Sequence, residues 1–320
     1  MRWLDPATIE RLAQDPKRRM SIGTLAPIDR ARPFVPESYT QLYYTPVYAS
    51  LHREHRLRYN QLFGLRINEY IMMLEADLVE QVLSPLASHP GVAADSALVR
   101  CLGLMIEEEK HHFQCFATFN RACFPELYAG RDRYFSALPL PVQALFGAAG
   151  LLSKRLGFSL WYLMAMEESA TTLAREMVRN AMTETLGELE PSFVALHREH
   201  MKDEMRHLQI DGLLIDLCLA RVGRIKRAVS AALFRAMLGF IMRPTSGGSG
   251  VRVIRELVRQ MPELSWRENE MIAAVLALKS DQGFQTSLFN RRIMPLTFGI
   301  FDDTAEFATL SRSMVGYDRR

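Results

Sequence analysis

Apolar residues recur along most of this chain at the three- and four-residue spacing that keeps one helix face toward a core, and they do so in long blocks. The pattern predicts helices over residues 47–88, 94–124, 154–185, 191–222, 225–242, 251–260 and 266–280. Breakers stand where ends are needed: SHPG from 88, FPELYAG from 124, LPLP from 138, LGELEP from 186, RPTSGGSG from 243 and QMP from 260. No alternating Val, Ile or Thr run bounded by turn pairs predicts a sheet, so the expected class is all-α. Several of these helices approach 30 residues without a heptad repeat, which points to a bundle whose members pack along their full length. Residues 1–45 differ: Pro6, Pro16, Pro27, Pro33 and Pro36 interrupt them, and only a short amphipathic piece near Ile9 is periodic. The expected organisation is an N-terminal arm over 1–45, a core bundle over 46–225, and further helices over 226–320 packed on the same domain. LHREH occurs at 51–55 and again at 196–200, but its surroundings do not repeat.

The 320 residues are 48% hydrophobic and 23% charged, enough to bury a sizeable core. The 39 basic and 36 acidic residues are spread evenly, without the basic stripe that phosphate binding needs, so nucleic acid is not an expected partner. The longest apolar stretch, SAALFRAMLGFIM, is short and broken by Arg235, and no membrane span is expected. Asp5, Glu10 and Arg11 interrupt MRWLDPATIERL where a signal peptide would be apolar, so the expected location is cytoplasmic. Cys101, Cys115, Cys123 and Cys218 form no CxxC pair and read as reduced thiols, with Cys115 one turn beyond His111.

Candidate chemistry sits in two stretches. HREHMKDEMRHLQI, residues 197–210, places His200, Glu204, His207 and the following Asp211 within roughly 60° of one another on a helix surface. CLGLMIEEEKHHFQCF, residues 101–116, holds Glu107, Glu108, Glu109, Lys110 and His111 against Asp203, Glu204, Met205, Arg206 and His207. Both stretches read acid, Glu, any residue, base, His. A Glu and a His three apart project from one helical turn, and two such helices face to face offer carboxylates and imidazoles to a metal pair. Glu109 with His112 has the same spacing as Glu108 with His111; Lys110 before His111, matching Arg206 before His207, favours the latter register.

Two further helices each supply a carboxylate on an apolar face. Glu75 is flanked by Ile71, Met72, Leu78, Val79 and Val82, whereas Glu69 has Arg66 beside it and is expected to be less enclosed. Glu167 is flanked by Leu163, Met164, Ala170, Thr171 and Ala174, while Glu168 shares its face with Thr172 and Arg175. Ionised glutamates in apolar stripes are costly unless they share a cation. The order Glu, Glu-x-x-His, Glu, Glu-x-x-His along successive helices is that of a ferritin-like carboxylate bundle, and such a donor set favours iron or manganese over zinc, with two irons first.

His200, four residues before Glu204, adds a third imidazole. With it the sequence resembles the p-aminobenzoate N-oxygenase family of diiron oxygenases, over about residues 45–225. The resemblance implies Glu75, Glu108, His111, Glu167, His200, Glu204 and His207 as metal ligands. Glu108 and Glu204 would bridge, and His200 would join the iron that His207 holds. Glu107 and Asp203 are expected to accept an imidazole N–H from the opposite motif. The implied activity is O2-dependent oxygenation of a small-molecule amine, taking an aryl amine toward hydroxylamine, nitroso or nitro, in a homodimer. Electrons would come from an external ferredoxin or reductase, or from peroxide, because the glycine-rich SGGSG at 246 follows no strand and reads as no nucleotide site. The rival activities are carbon hydroxylation or desaturation, and ferroxidation. His197, His52 and His55 are expected on solvated faces, Ala170, Thr171 and Ala174 in tight helix packing, and Arg291 or Arg292 is a guess for a substrate carboxylate.

Overall fold

A computed structural model describes all residues except 1–2, 22, 24–25, 77–79, 137–146, 148–150, 153–154, 221, 242–243 and 320. Among the described residues the chain is all-helical, and its extended segments meet only in an isolated bridge between Met182 and Glu188. The elements that matter here are α1 (Pro6–Ala13), α2 (Arg53–Leu74), α3 (Ser96–Cys123), α4 (Phe158–Arg179), α5 (Pro191–Ile215), α6 (Arg224–Ile241), α7 (Ser249–Gln260), α8 (Glu268–Ala277) and α9 (Pro295–Asp303).

Their starts follow local chemistry. Asp5 accepts from the Thr8 N–H with Pro6 in the first turn of α1, Asp95 takes the N–H groups of Ala97 and Leu98 on α3, and Glu190 takes that of Phe193 with Pro191 leading α5. Gly157, at φ 65°, turns the chain into α4, and a Cβ there would stand 3.1 Å from the Leu219 side chain.

The block predicted over 47–88 is divided. A short helix, Pro46–Ser50, precedes α2, which widens into a π turn at Glu75–Ala76, and helix resumes at Glu80–Leu86. Leu78 and Val79, expected as neighbours of Glu75, lie outside the described residues. Helix α5 stops at Ile215 and passes into a second π turn, Asp216–Ala220. The arm is less extended than expected, because Ile9 and Ala13 make α1 a buried helix that packs on α3 and α5.

Helices α2, α3, α5 and α4 form the bundle, with α4 lying closely along α5, α3 between α2 and α5, and the Tyr70 and Tyr162 hydroxyls joining α2 to α4. Helix α7 covers α2, while α6 and α9 cover α4. The apolar interior is divided into two clusters. Leu98, Leu102, Met105, Trp161, Leu163, Leu208 and Leu214 belong to one; Phe116, Phe119, Leu173, Met177, Phe193 and Leu196 belong to the other. On α3, α4 and α5 the residues between these two sets are the polar ones: Glu108, Glu109 and His112; Glu167 and Thr171; His200, Asp203, Glu204 and His207. The motifs therefore occupy a buried polar layer between two apolar halves.

Candidate metal centre

Glu75 leaves α2 at the π turn, Glu109 and His112 come from α3, Glu167 from α4, and His200, Glu204 and His207 from α5; each is at most 6% exposed. Their donor atoms fall into three overlapping sets, Glu75 with His112 and His200, Glu109 with His112 and Glu204, and Glu109 with Glu167 and His207, each within 4.8 Å. His112 Nδ1 lies 3.3 Å from Glu109 and 3.5 Å from Glu204, and His207 Nδ1 lies 3.1 Å and 3.3 Å from the same two carboxylates. Glu109 and Glu204 thus stand between the two imidazoles.

The outward nitrogens are fixed by a crossed pair of bonds. His112 on α3 has its Nε2 2.9 Å from Asp203 on α5, and His207 on α5 has its Nε2 2.9 Å from Glu108 on α3. Arg206, 5% exposed, donates to both acids, 2.7 Å to Glu108 and 2.6 Å to Asp203. The arm closes over this ion cluster: the Met20 N–H reaches both Asp203 oxygens at 3.2 and 3.1 Å, Arg19 lies 3.5 Å from Glu108, and Arg206 donates to the Arg18 carbonyl. Such outer acceptors set ring tautomer and direction.

The first motif therefore sits one residue later than expected. A one-residue step turns the side chain by 100°, which leaves Glu107 and His111 on the exposed side of α3, His111 with its Nε2 3.6 Å from Cys115 Sγ. Glu109 and His112 take the inward places assigned to Glu108 and His111, and Glu108 takes the acceptor place assigned to Glu107. His200 is buried in the same layer. It lies 3.2 Å from Glu75 and 3.0 Å from Glu204, with its ring 4.5 Å from that of His112. His200 Nε2 and His207 Nδ1 approach the same Glu204 oxygen, at 3.0 and 3.3 Å.

Other expectations are corrected by burial. His197 is fully buried, 2.9 Å from Asn68 Oδ1, with burial and then the His200 charge holding it neutral at a pKa of about 3. Asn68 donates to Asn120, and Glu69, also fully buried, accepts from Tyr128 and the Ser136 N–H. His55 is buried against Glu263, while His52 is exposed. Glu168 accepts the backbone N–H groups of Leu296 and Thr297 at the start of α9, which separates its role from that of Glu167. Arg291 pairs with Asp302 and Asp318, and Arg292 with Glu176. Thr171 and Ala174 are fully buried, as tight packing requires. Cys101, Cys123 and Cys218 are buried free thiols, and Cys115 is half-buried.

Burial alone would neutralise these groups, but their mutual charges oppose it. Burial lowers the affinity of His112 and His200 for a proton, yet Asp203 and Glu109 carry the first up to about 10 and Glu204 the second to about 9. Burial, then the nearby acids Asp211 and Glu204, raises Glu167 well above the carboxylate range. Asp211, one turn beyond His207 and fully buried, is pushed up to about 8, chiefly by burial. Both oxygens of Glu167 and of Asp211, together with Glu75 Oε2, Glu204 Oε1 and His207 Nδ1, are buried without a hydrogen-bond partner. Several have close opposite charges but no bond alignment. Orphaned donor atoms converging on common points are what a cation satisfies. Glu75, Glu109, Glu167 and Glu204 carry four negative charges when ionised, matching two divalent ions with neutral imidazoles. The residues fit a dinuclear carboxylate–imidazole centre.

Among the described residues, no helix is long and apolar enough to cross a membrane. A family model, that of the p-aminobenzoate N-oxygenase AurF, matches residues 6–247. No curated protein matches the chain.

Proposed function

Because the chain belongs to the p-aminobenzoate N-oxygenase family, a group of ferritin-like oxidoreductases, we propose that it oxygenates the nitrogen of a small amine at two irons. The proposed ligands are Glu75, Glu109, His112, Glu167, His200, Glu204 and His207. The first turnover balances as R–NH2 + O2 + 2 e− + 2 H+ → R–NHOH + H2O. The electrons come from an external donor such as a ferredoxin or reductase. Iron supplies the O2 activation, and the chain's own residues determine where that occurs and what surrounds it.

Glu109 and Glu204, between the two imidazoles, are the candidates to bridge the ions. Glu75, His112 and His200 would serve one ion, and Glu167 with His207 the other. Asp203 and Glu108 hold the imidazoles with Nδ1 inward, so both rings meet a cation through a lone pair set in advance. The apolar halves above and below keep bulk water from the layer.

The observation that carries the reading is the position of His200, a third imidazole in the layer within 3.2 Å of Glu75 and 3.0 Å of Glu204. The test is anaerobic ferrous loading followed by a single turnover of an aryl amine under 18O2. Two irons per chain and label in the hydroxylamine are expected. Iron oxidation without organic product, or oxygen placed on carbon, would replace this reading with the ferroxidase or hydroxylase alternative.

A further inference from the structure

Helix α5 turns two unlike sides to its surroundings. His200, Glu204 and His207 point into the carboxylate layer, while Arg198, Lys202, Met205 and Gln209, spaced four, three and four apart, form a stripe on the opposite side. The N-terminal arm frames this stripe. The Leu4 N–H bonds Gln209 at one end and the Ser21 N–H reaches Glu199, 3.4 Å away, at the other; between them the Arg18 carbonyl and the Met20 N–H meet Arg206 and Asp203. Lys17, Arg18, Arg19, Arg198 and Lys202 therefore reach solvent around an apolar centre, Met205 at 50% and Leu4 at 42% exposure. The acids among them are Asp15, paired with Arg18, and Glu199, paired with Arg198 and Lys202, so the face is net positive. A second observation is that hydrogen bonds join this face to the layer behind it. Arg206 donates outward to the Arg18 carbonyl and inward to Glu108 and Asp203, and these acids hold His207 and His112. From the stripe to the ligands is one helix diameter, about 10–12 Å with side chains.

We propose that the outer face of α5 and the arm beside it dock an acidic one-electron carrier protein, which returns the electrons consumed in each turnover; this rests on the N-oxygenase reading. Two reduced carriers give one electron each, 2 carrier(red) + 2 Fe(III) → 2 carrier(ox) + 2 Fe(II), and no bond forms between the proteins. The oxidised carrier must leave after each transfer, so the contact has to form quickly and stay weak. Complementary charge raises the encounter rate, and a small apolar centre within a charged rim is the anatomy of such short-lived electron-transfer contacts. The carrier seated here is separated from the proposed ligands by the thickness of α5 alone, and the Arg206 bonds bridge that thickness.

The test uses an acidic plant-type ferredoxin as the probe. Titration calorimetry reads its binding to the iron-free full-length chain, and stopped-flow absorbance reads oxidation of the reduced probe by the diferric chain. Both are expected to weaken as salt is raised. Lys17→Glu with Arg198→Glu is expected to weaken binding and slow the transfer by about tenfold or more, while Lys279→Glu with Arg312→Glu, the same charge change on turns after α8 and α9, leaves both within about twofold. Reduction by methyl viologen radical, a small cation, is expected to be no slower in either double variant. Should the first pair fail to fold, Lys17→Gln with Arg198→Gln replaces it, with a loss of about threefold expected. Absence of ferredoxin binding by the unchanged chain, or equal losses in the two double variants, overturns the proposal. So does a dimer that Lys17→Glu with Arg198→Glu breaks, or binding of anionic phospholipid vesicles in place of ferredoxin, since either gives the face another occupant. Transfer with the expected charge pattern but no N–O product from an aryl amine keeps the docking face and removes the N-oxygenase reading; N–O product driven by methyl viologen radical without ferredoxin binding does the reverse.

Discussion

Replacing Asp203 by Asn tests whether the crossed acids govern the centre. Asp203 accepts from His112 Nε2 at 2.9 Å, from Arg206 at 2.6 Å and from the Met20 N–H at 3.1 Å, so the amide retains the shape and loses the charge. Without the carboxylate, His112 is a weaker donor toward the metal and its ring is less firmly aimed. Loss of such an acceptor weakens metal affinity by about 10–100-fold, or about 1.4–2.8 kcal/mol. Glu108→Gln removes the mirror-image acceptor, 2.9 Å from His207 Nε2, and should cost a similar amount. Glu107→Gln alters an exposed residue and should cost nothing measurable. Anaerobic Fe(II) titration against a competing chelator, at fixed pH and with circular dichroism to verify folding, reads all three. Affinities within twofold of the parent for both Asp203→Asn and Glu108→Gln, or an equal loss in Glu107→Gln, would refute the crossed-acid argument and the register with it.

His112→Ala should abolish binding of at least one iron, whereas His111→Ala, on the exposed side of α3, should leave the metal content unchanged by elemental analysis. Arg206→Met leaves Asp203 and Glu108 buried with their shared guanidinium removed, and denaturant unfolding should register a loss of about 3–5 kcal/mol. His197→Phe deprives the buried Asn68 Oδ1 of its imidazole partner and should destabilise the fold by about 1–3 kcal/mol while iron content holds, since His197 bonds Asn68 and is not among the proposed ligands. Removing the iron with chelator should lower the unfolding temperature, because each bound ion stabilises the folded chain by about 2.7 kcal/mol at a free concentration one hundred times its Kd.

The helical class and the two Glu-x-x-His motifs were legible in the sequence because both depend on spacing within one helix. Glu75 and Glu167 were legible for the same reason: each is an acid on an otherwise apolar face. The register of the first motif was not settled by matching Lys110 to Arg206. The apolar residues around it carried the better signal, since Met105, Phe116 and Phe119 are three of the buried positions whose stripe runs through Glu109 and His112. In that alignment Lys110 matches Met205, both exposed, and His111 matches Arg206. The burial of His197 and Glu69 could not be read locally. Their partners, Asn68 for the first, Tyr128 and Ser136 for the second, come from other helices and a loop. Likewise, nothing within α5 announced that Asp203 would be covered by Met20, 183 residues away.

That last contact has a consequence in time. The backbone of Arg18 to Met20 is synthesised early, yet its anchors, Asp203 and Arg206, leave the ribosome some 183 residues later. The arm must therefore remain undocked through most of translation and settle only after α5 has joined the bundle. Until it does, the rear of the polar layer stays open to the surrounding solution and whatever ions that solution carries.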